Sequence, residues 1–493
     1  MKYYDVVIVG AGLSGIGAAY HLQKNCPDRT FAILESRDAL GGTWDLYRYP
    51  GIRSDSDMHT LGYSFKPWVA EKAIADGPSI LEYVNEAADE NDIRKHIQFN
   101  SRVVSAAWSN EDACWQVELA SRDGEAAPES IRCNVLLMCS GYYSYETAHE
   151  PSFEGEEDFE GPFFHPQFWP EDLDYAGKRI VVIGSGATAM TVVPALAEAA
   201  EHVTMLQRSP TYVVSRPDTD DIANFLRKIL PARIAYALTR YKNVQFQRRG
   251  YEQTRTHPDR VRNLLLKQVR KHLPDAYVDE HFTPTYNPWD QRLCLIPNDD
   301  LFEMINKGKA SVVTNHIDRI TKKGIRLVSG DELEADIIVR ATGLNMNFLG
   351  EVQFSIDGDP VNFADTFTYK GMLYSDVPNL VQTFGYVNAS WTLRADLTAE
   401  YVCRLINRMD ELGLRQVTPR LRAEDHGMAT RPWIADFSAG YMQRVLHRFP
   451  KQGDHAPWQN TQNFTADKKM IRGAPLEDGA LTFSNPRPGA GNA

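Results

Sequence analysis

The stretch DVVIVGAGLSGIGAAYHLQK, residues 5–24, decides the fold of this chain. Its apolar run ending at Val9 predicts a buried strand, which leads into the turn Gly10-x-Gly12-x-x-Gly15 and then into a helical pattern. The first glycine permits the tight turn, the second lets the backbone approach a pyrophosphate, and the third lets the helix pack against the strand. The start of the helix then faces the anion. The order predicts a dinucleotide-binding unit.

An acidic residue supports this interpretation against the alternative of a purely structural turn. The next apolar strand, FAILE, ends in Glu35, twenty residues after Gly15. A carboxylate at this distance accepts hydrogen bonds from ribose hydroxyls. The first unit is therefore expected to bind a nucleotide with a free ribose.

A second unit, KRIVVIGSGATAMTVVPAL, covers residues 178–196 and carries Gly184, Gly186 and Ala189, since alanine is allowed at the third position. The strand that follows ends without an acid, in Gln207-Arg208-Ser209. Arg208 can bind a 2′-phosphate and Ser209 can donate to it. The alternative for Arg208 is an ordinary solvated charge. We predict that this unit prefers NADP(H).

Two nucleotide sites on one chain indicate a flavoprotein in which bound FAD is reduced by NADPH. We predict an α/β fold with two Rossmann-like domains, the FAD domain formed by 1–145 with 380–493 and the NADP domain by 150–213 with 294–375. The turns in MCSGYYS (138–144) and IIVRATGL (337–344) are expected where the chain crosses between them. Residues 214–293 have apolar residues at helical intervals, which predicts a helical insertion over the substrate entrance. Its lysines and arginines are expected to be a solvated face.

Composition narrows the class of protein. The net charge of −12 disfavours nucleic acid and anionic membrane as partners. The six cysteines are scattered without a CxxC pair, which argues against a disulfide framework, a zinc site and a flavin disulfide reductase. We also expect no signal peptide, no membrane span and a cytoplasmic location. The length suits two or three domains.

Two further stretches carry a family pattern. FEGPFFHPQFWP, residues 159–170, completes FxGxxxHxxxWP with His165 at its centre, and GGTWDLYRYPGIRSD, residues 41–55, completes GGxWxxxxYPGxxxD. On these motifs the chain resembles the class B Baeyer–Villiger flavoprotein monooxygenases. Segments such as SDSDMHTLGYSFKPW (54–68) and FGYVNASWTL (384–393) are most similar to the ethionamide-activating subgroup.

The resemblance implies a chemistry and its residues. In the family, reduced flavin and O2 give a C4a-peroxyflavin that attacks a ketone, and the adduct rearranges to an ester or lactone. Arg292 is implied as the fixed cation beside this anion, with Asp55 orienting it and His165 coupled to domain motion and catalysis. The alternatives are an interdomain salt bridge for Arg292 and Asp55, and a buried structural histidine for His165. A metal-ligand role is not expected, because no partner stands at suitable spacing.

The resemblance also implies further contacts with cofactor and substrate. Gln291 stands where many members of the family carry a lysine, so selection of NADPH over NADH is expected to depend on Arg208 and Ser209. The expected lining of the flavin and substrate sites comprises Gly42, Trp44, Asp45, Asp57, Asn388 and Trp391.

The predicted function is NADPH- and O2-dependent oxygenation of linear aliphatic or aryl-alkyl ketones, with sulfide oxidation as a side activity. One rival is an N- or S-hydroxylating flavin-containing monooxygenase. A rival of another class is a non-catalytic, nucleotide-sensing flavoprotein. The presence of Asp55, Arg292 and His165 weighs against the sensor.

Overall fold

The structure, a computed structural model, describes residues 1–121, 129–291, 293–435 and 438–486. Two separate sheets organise the chain, one around each glycine turn. No helix within these residues is long and apolar enough to cross a membrane. The predicted α/β class with two Rossmann-like units is confirmed.

The larger sheet has nine strands and contains the N-terminal strand Lys2–Val9 in its interior, parallel to both of its neighbours. Val6, Val7 and Ile8 have no exposed surface, because helices or loops cover both faces. The spatial order is Asp359–Pro360, Gln353–Ile356, Val103–Ser109, Cys114–Leu119, Ser130–Met138, Lys2–Val9, Phe31–Leu34 and Ile97–Gln98, with Leu380–Gln382 also paired to Ser130–Met138.

Helices cover this sheet. The first, Leu13–Asn25, packs against Trp391–Leu412, which comes from the far end of the sequence. The unit around the larger sheet is therefore discontinuous in sequence. Its other helices are Thr43–Leu46, Met58–Leu61, Gly77–Glu90, Gly440–Gln443 and Phe464–Gly473.

The smaller sheet consists of five parallel strands, with the helix Ala187–Ala197 directly after the second glycine turn and Asp300–Asn306 beside it. Its core is aliphatic, with Val182, Val193 and Val339 fully buried. The strands, in order, are Ala310–Thr314, His202–Gln207, Arg179–Ile183, Ile337–Arg340 and Phe163–Phe164.

The sheet pairing corrects the predicted boundary at residue 375. Gln353–Ile356 pairs with Val103–Ser109, and Asp359–Pro360 extends the same sheet, so this part of 294–375 belongs to the larger sheet. The pairing joins residues about 250 positions apart, which a local pattern does not reveal.

Two connections join the units, and they lie side by side. Tyr143–Ala148 leaves the first unit, Leu344–Met346 returns towards it, and the two strands pair antiparallel. They lie just after the two turns that the sequence singled out. We refer to these two strands as the linker ribbon.

The insertion is helical, as the sequence pattern indicates. It begins and ends with a small parallel sheet, Val213–Arg216 against Cys294–Pro297. Its helices are Asp221–Ile229, Ala232–Thr256, Pro258–Val269 and Asp275–His281. The remaining strand pairings are Ile317–Thr321, Gly324–Leu327 and Glu332–Glu334 in one sheet, Thr368–Tyr369 with Leu373–Tyr374, and Gln416–Pro419 with Leu481–Ser484.

Candidate active site

A cavity of about 1180 Å³ lies where the two nucleotide units and the insertion meet. We call it the central cavity. Its wall contains Gly10 and Gly12 of the first turn, Ala187 after the second turn, and residues of the insertion such as Tyr251. Both glycine units therefore open into one space.

The first turn needs its glycines for steric reasons. Gly10 has φ +103°, and a Cβ there would lie 2.6 Å from the carbonyl oxygen of Cys139. A Cβ at Gly15 would lie 1.9 Å from the carbonyl oxygen of Gly10, so the helix and the strand are in direct backbone contact. The start of the helix Leu13–Asn25 consequently faces the central cavity, where it can stabilise a pyrophosphate.

Glu35 lies at the edge of this turn with its carboxylate almost completely buried. One oxygen accepts a hydrogen bond from the Ala11 N–H at 2.8 Å, and the other accepts from the Arg37 N–H at 2.9 Å. The carboxylate thus fixes the turn, and the oxygen bonded to Ala11 keeps further acceptor capacity, whereas the other also accepts from the Ser36 hydroxyl at 3.2 Å. Because Glu35 also lines the central cavity, its position suits the predicted contact with a ribose.

The second family motif encloses the first turn. The Gly41 N–H donates to the carbonyl of Ala11, and a Cβ on Gly42 would lie 3.0 Å from the Cα of Gly12. Gly42 has φ +59°, which favours glycine. Gly42 and Trp44 line the central cavity, as predicted for the flavin site.

Two predicted flavin contacts, Asp45 and Asp57, are engaged elsewhere. Asp45 is buried and accepts from the guanidinium groups of Arg37 at 2.6 Å and Arg48 at 2.8 Å. Asp57 caps the helix Met58–Leu61 and accepts from the side-chain amides of Asn243 and Gln247. Both carboxylates hold the segments around the central cavity together, and their direct contact with flavin stays a prediction.

Asp55 is part of the cavity wall, whereas Arg292 lies outside the described residues. Tyr49 lies near Asp55. Burial, and in second place the negative charge of Asp55, raises the pKa of the Tyr49 phenol to about 12. Gln291, next to Arg292, is half-buried. The pairing of Asp55 with Arg292 stays a prediction.

The second glycine turn is tight at its start and open at its middle. Gly184 has φ +135°, and a Cβ there would lie 2.2 Å from the carbonyl oxygen of Ala341. Gly186 has no atom within 4 Å of its ideal Cβ position, and Ala189 is fully buried in the helix. Arg208 and Ser209 are exposed beside the turn, where the Ser185 hydroxyl donates to the Ser209 carbonyl.

The connector 159–170 is fixed to the linker ribbon through His165. The Nδ1 of this buried ring accepts the Gln167 N–H at 3.1 Å, so Nε2 carries the proton and donates to the carbonyl of Gly343 at 2.9 Å. Burial lowers the pKa of His165 to about 4, and the ring is neutral at physiological pH. Gly161 allows the connector to approach the sheet, since a Cβ there would lie 2.3 Å from the Asp336 carbonyl oxygen.

Gln167 is a residue that the motif does not reveal, because it occupies a variable position. Its side-chain amide donates to the carbonyl of Ser144 at 2.9 Å, and its oxygen accepts from the Tyr47 hydroxyl at 3.5 Å. Ser144 is in the outgoing linker strand, while Gly343, the partner of His165, precedes the returning strand. His165 and Gln167 together bind both connections between the two units.

The segment before the helix Trp391–Leu412 forms another wall of the central cavity. The Trp391 indole N–H donates to the Ser14 hydroxyl at 2.7 Å, and its ring stacks on Tyr142 with centroids 5.1 Å apart. The Asn388 amide donates to the carbonyl of Gln462 at 3.1 Å. Both predicted residues therefore lie at the cavity, beside the positive end of a 22-residue helix.

Arg216 was missed by the sequence analysis because it belongs to no motif. It lines the central cavity, and its guanidinium lies 4.9 Å from the centre of the Phe246 ring. Its side chain is exposed, at the end of the strand Val213–Arg216. Arg216 is a second cation that can face a substrate or nucleotide in the cavity.

The comparisons with known proteins agree with this architecture. The family described as "Flavin-binding monooxygenase-like" matches residues 72–377, and an "NAD(P)-binding Rossmann-like domain" matches residues 8–71. The FAD-containing monooxygenase EthA of Mycobacterium tuberculosis is 52% identical over 98% of both chains. The solved structure of an oxidized steroid monooxygenase bound to NADP aligns with a TM-score of 0.80 at 23% identity, covering 98% of this chain and 100% of that one.

A second solved structure, OTEMO in complex with FAD and NADP, aligns with a TM-score of 0.68 at 25% identity, over 84% of this chain and 88% of that one. The fold and the cavity thus define a flavoprotein with two dinucleotide-binding units. The chain belongs to the flavin-binding monooxygenase-like family and is an FAD-dependent monooxygenase. The predicted resemblance and the predicted cofactors, FAD and NADP(H), are confirmed at this level.

Proposed function

We propose that this enzyme uses NADPH and O2 to convert ketones into esters or lactones, with linear aliphatic or aryl-alkyl ketones as substrates and sulfides as secondary substrates. In the balanced reaction, a ketone, O2, NADPH and a proton give the ester, NADP+ and water. One observation carries the proposal: the first glycine turn, the start of the helix that follows the second turn, and Asp55 all line a single cavity that is completed by aromatic residues.

The residues of the first unit fit FAD. The backbone of the turn and the start of the helix Leu13–Asn25 would hold the pyrophosphate, and Glu35 would accept from the ribose. The glycines let the strand, the turn and the helix pack at backbone distance, which shapes the turn that would receive the pyrophosphate. Bound FAD supplies hydride acceptance and O2 activation.

The residues of the second unit fit NADPH. The turn at Gly184 and Gly186 would bind its pyrophosphate, and Arg208 with Ser209 would bind the 2′-phosphate. The open middle of this turn leaves its backbone accessible to a nucleotide.

Fixed positive charge is the second requirement, because the reaction passes through anions. Arg292 is assigned this role by its place in the family pattern, with Asp55 in the cavity wall to orient it. Arg216 adds a cation on the insertion side. One well-placed donor in a water-excluded site is worth about 3–4 kcal/mol of transition-state stabilisation.

His165 and Gln167 act as positioning residues. Since each binds one connection of the linker ribbon, they hold the angle between the two units. A neutral His165 cannot supply a proton to the reaction at neutral pH.

Product identification tests the proposal. The holoenzyme is incubated with NADPH, O2 and either a linear methyl ketone or a thioether of matched size. We expect ester from the ketone; sulfoxide from the thioether without any ester would instead support the S-oxygenating alternative.

Arg292→Ala provides the matched variant, with Arg292→Lys as the conservative one. Flavin reduction by NADPH should be retained in both, because the cation acts after this step. Ester formation should fall by about two orders of magnitude or more in Arg292→Ala and should be partly restored by lysine. Unchanged ester yield in Arg292→Ala would contradict its role.

A further inference from the structure

Two helices of the insertion turn apolar side chains outward. On Asp221–Ile229, large apolar residues that are exposed recur every three to four positions, whereas Ala223 on the opposite side is fully buried. On the first half of Ala232–Thr256 the same inversion holds, with Ala235 and Thr239 buried. The six large apolar residues, which are 48–69% exposed, are Ile222, Phe225, Ile229, Ile234, Leu238 and Tyr241.

We refer to these six residues as the apolar face. The two helices contact each other, and the Lys242 ammonium is bound to Asp220, the N-cap of the shorter helix, at 2.6 Å. The face is therefore a structured surface. A soluble protein rarely exposes so many large apolar side chains together without a binding role.

The charge around this face differs from that of the rest of the protein. Residues 221–273 contain thirteen lysines and arginines against three acidic residues, although the whole chain has a net charge of −12. On the two helices, Lys228, Arg233 and Arg249 are exposed and have no ion pair among the residues that the structure describes. The apolar face thus lies in a strongly basic module.

We propose that the apolar face docks on the surface of an anionic lipid bilayer, as a peripheral contact that does not span it. An apolar helix face inserts among the acyl-chain boundary of the lipids, and flanking lysines and arginines pair with their phosphates. This changes two predictions made from the sequence: that the net charge disfavours an anionic membrane as a partner, and that the basic residues of the insertion form a merely solvated face. The proposal goes beyond the oxygenase function and does not depend on the identity of the substrate.

A second copy of the chain fits less well as the occupant. In a two-fold contact, Lys228 and Arg233 would face like charges. A head-to-tail contact would need a second apolar face. Of the other large exposed apolar residues in the described part of the chain, Phe246 and Leu264 line the central cavity, and Tyr3, Val328 and Leu412 are far apart in sequence.

Docking would place the substrate entrance at the bilayer. The helix Ala232–Thr256 carries part of the apolar face in its first half and cavity-lining residues in its second half, among them Phe246 and Tyr251. Phe246 is itself exposed. An apolar substrate dissolved in lipid could then reach the central cavity along one helix.

Vesicle flotation of the FAD-loaded full chain tests the proposal. Wild type should float with phosphatidylcholine vesicles that contain phosphatidylglycerol, and at least about fivefold less with pure phosphatidylcholine. Phe225→Ser combined with Ile229→Ser should reduce flotation about tenfold, and Lys228→Glu with Arg233→Glu about as much. Val328→Ser with Leu412→Ser is the matched control and should float like wild type.

Three results would overturn the proposal. The first is absence of flotation with anionic vesicles, and the second is flotation of the Phe225/Ile229 variant at the wild-type level. The third is a wild-type dimer in light scattering that becomes a monomer in this variant while vesicle binding stays unchanged. The apolar face would then join two copies of the chain. FAD content and melting temperature, measured for every variant, verify that each protein is folded.

Discussion

The two glycine turns of the molecule share a pattern but differ in how closed they are. At the first turn, the Gly41 N–H donates to the Ala11 carbonyl, and the buried Glu35 carboxylate accepts from the Ala11 N–H. At the second turn, Gly186 faces open space and Arg208 is exposed. A preformed, enclosed site suits a resident cofactor, and an open one suits a nucleotide that enters and leaves in each cycle. Closure around the turn therefore supports the proposal that the first unit binds FAD and the second binds NADP.

The largest effect is expected from Gly15→Ala. The added Cβ would lie 1.9 Å from the Gly10 carbonyl oxygen, so strand and helix must separate. We expect a loss of stability above about 4 kcal/mol and protein that is purified without flavin. The visible absorbance of flavin per mole of protein and the melting temperature measure this. Ala189→Gly, at the corresponding position of the second unit, is the control and should retain its flavin; a flavin-replete Gly15→Ala protein would contradict the steric argument.

A selective effect on the second unit is expected from Arg208→Ala. Removing a charge-assisted contact with the 2′-phosphate should raise KM for NADPH by roughly 10- to 100-fold, and leave KM for NADH unchanged. Steady-state NAD(P)H consumption with both coenzymes provides the comparison. Equal changes for the two coenzymes would assign Arg208 to the solvated surface.

These two predictions show what the sequence could and could not supply. The two glycine turns and the places of Glu35 and Arg208 beside them were predictable, because each depends on residues that are near one another in the sequence; the binding roles of Glu35 and Arg208 stay predictions. The return of Gln353–Ile356 to the larger sheet was not, since it depends on pairing with a strand about 250 residues earlier. Arg216 and Gln167 were missed for the same reason: their partners come from other segments. The outward-facing apolar residues of Asp221–Ile229 follow a helical period that cannot show which side is buried.

An effect of moderate size is expected from pH through His165. The unfolded chain takes up a proton on this ring near pH 6.5, but the folded protein does so only near pH 4. The free energy of unfolding is therefore not reduced by this ring above pH 6.5, and it decreases as the pH falls towards 4. The loss is about 2 kcal/mol at pH 5.

His165→Asn removes this titration and isolates it. The difference in melting temperature between pH 7 and pH 5 should be smaller in the variant than in wild type, although the variant is less stable at pH 7. An identical pH dependence in both proteins would show that His165 is not the group responsible.

The smallest effect is expected from Gly186→Ala. Its Cβ would meet nothing within 4 Å, and its backbone has an ordinary φ of −79°. Stability should change by less than about 0.5 kcal/mol, with full flavin content. The melting temperatures of Gly186→Ala and Gly15→Ala are compared under the same conditions. A large loss of stability in Gly186→Ala would show that the second turn is as enclosed as the first.

Isotope labelling tests the central claim, that the cavity between the two turns inserts oxygen into a ketone. The holoenzyme is given NADPH, a linear methyl ketone and 18O2, and the product is identified by mass spectrometry. The account predicts an ester that carries one 18O atom, at the bridging position. NADPH consumption without any labelled ester, while a matched thioether is converted to labelled sulfoxide, would contradict it.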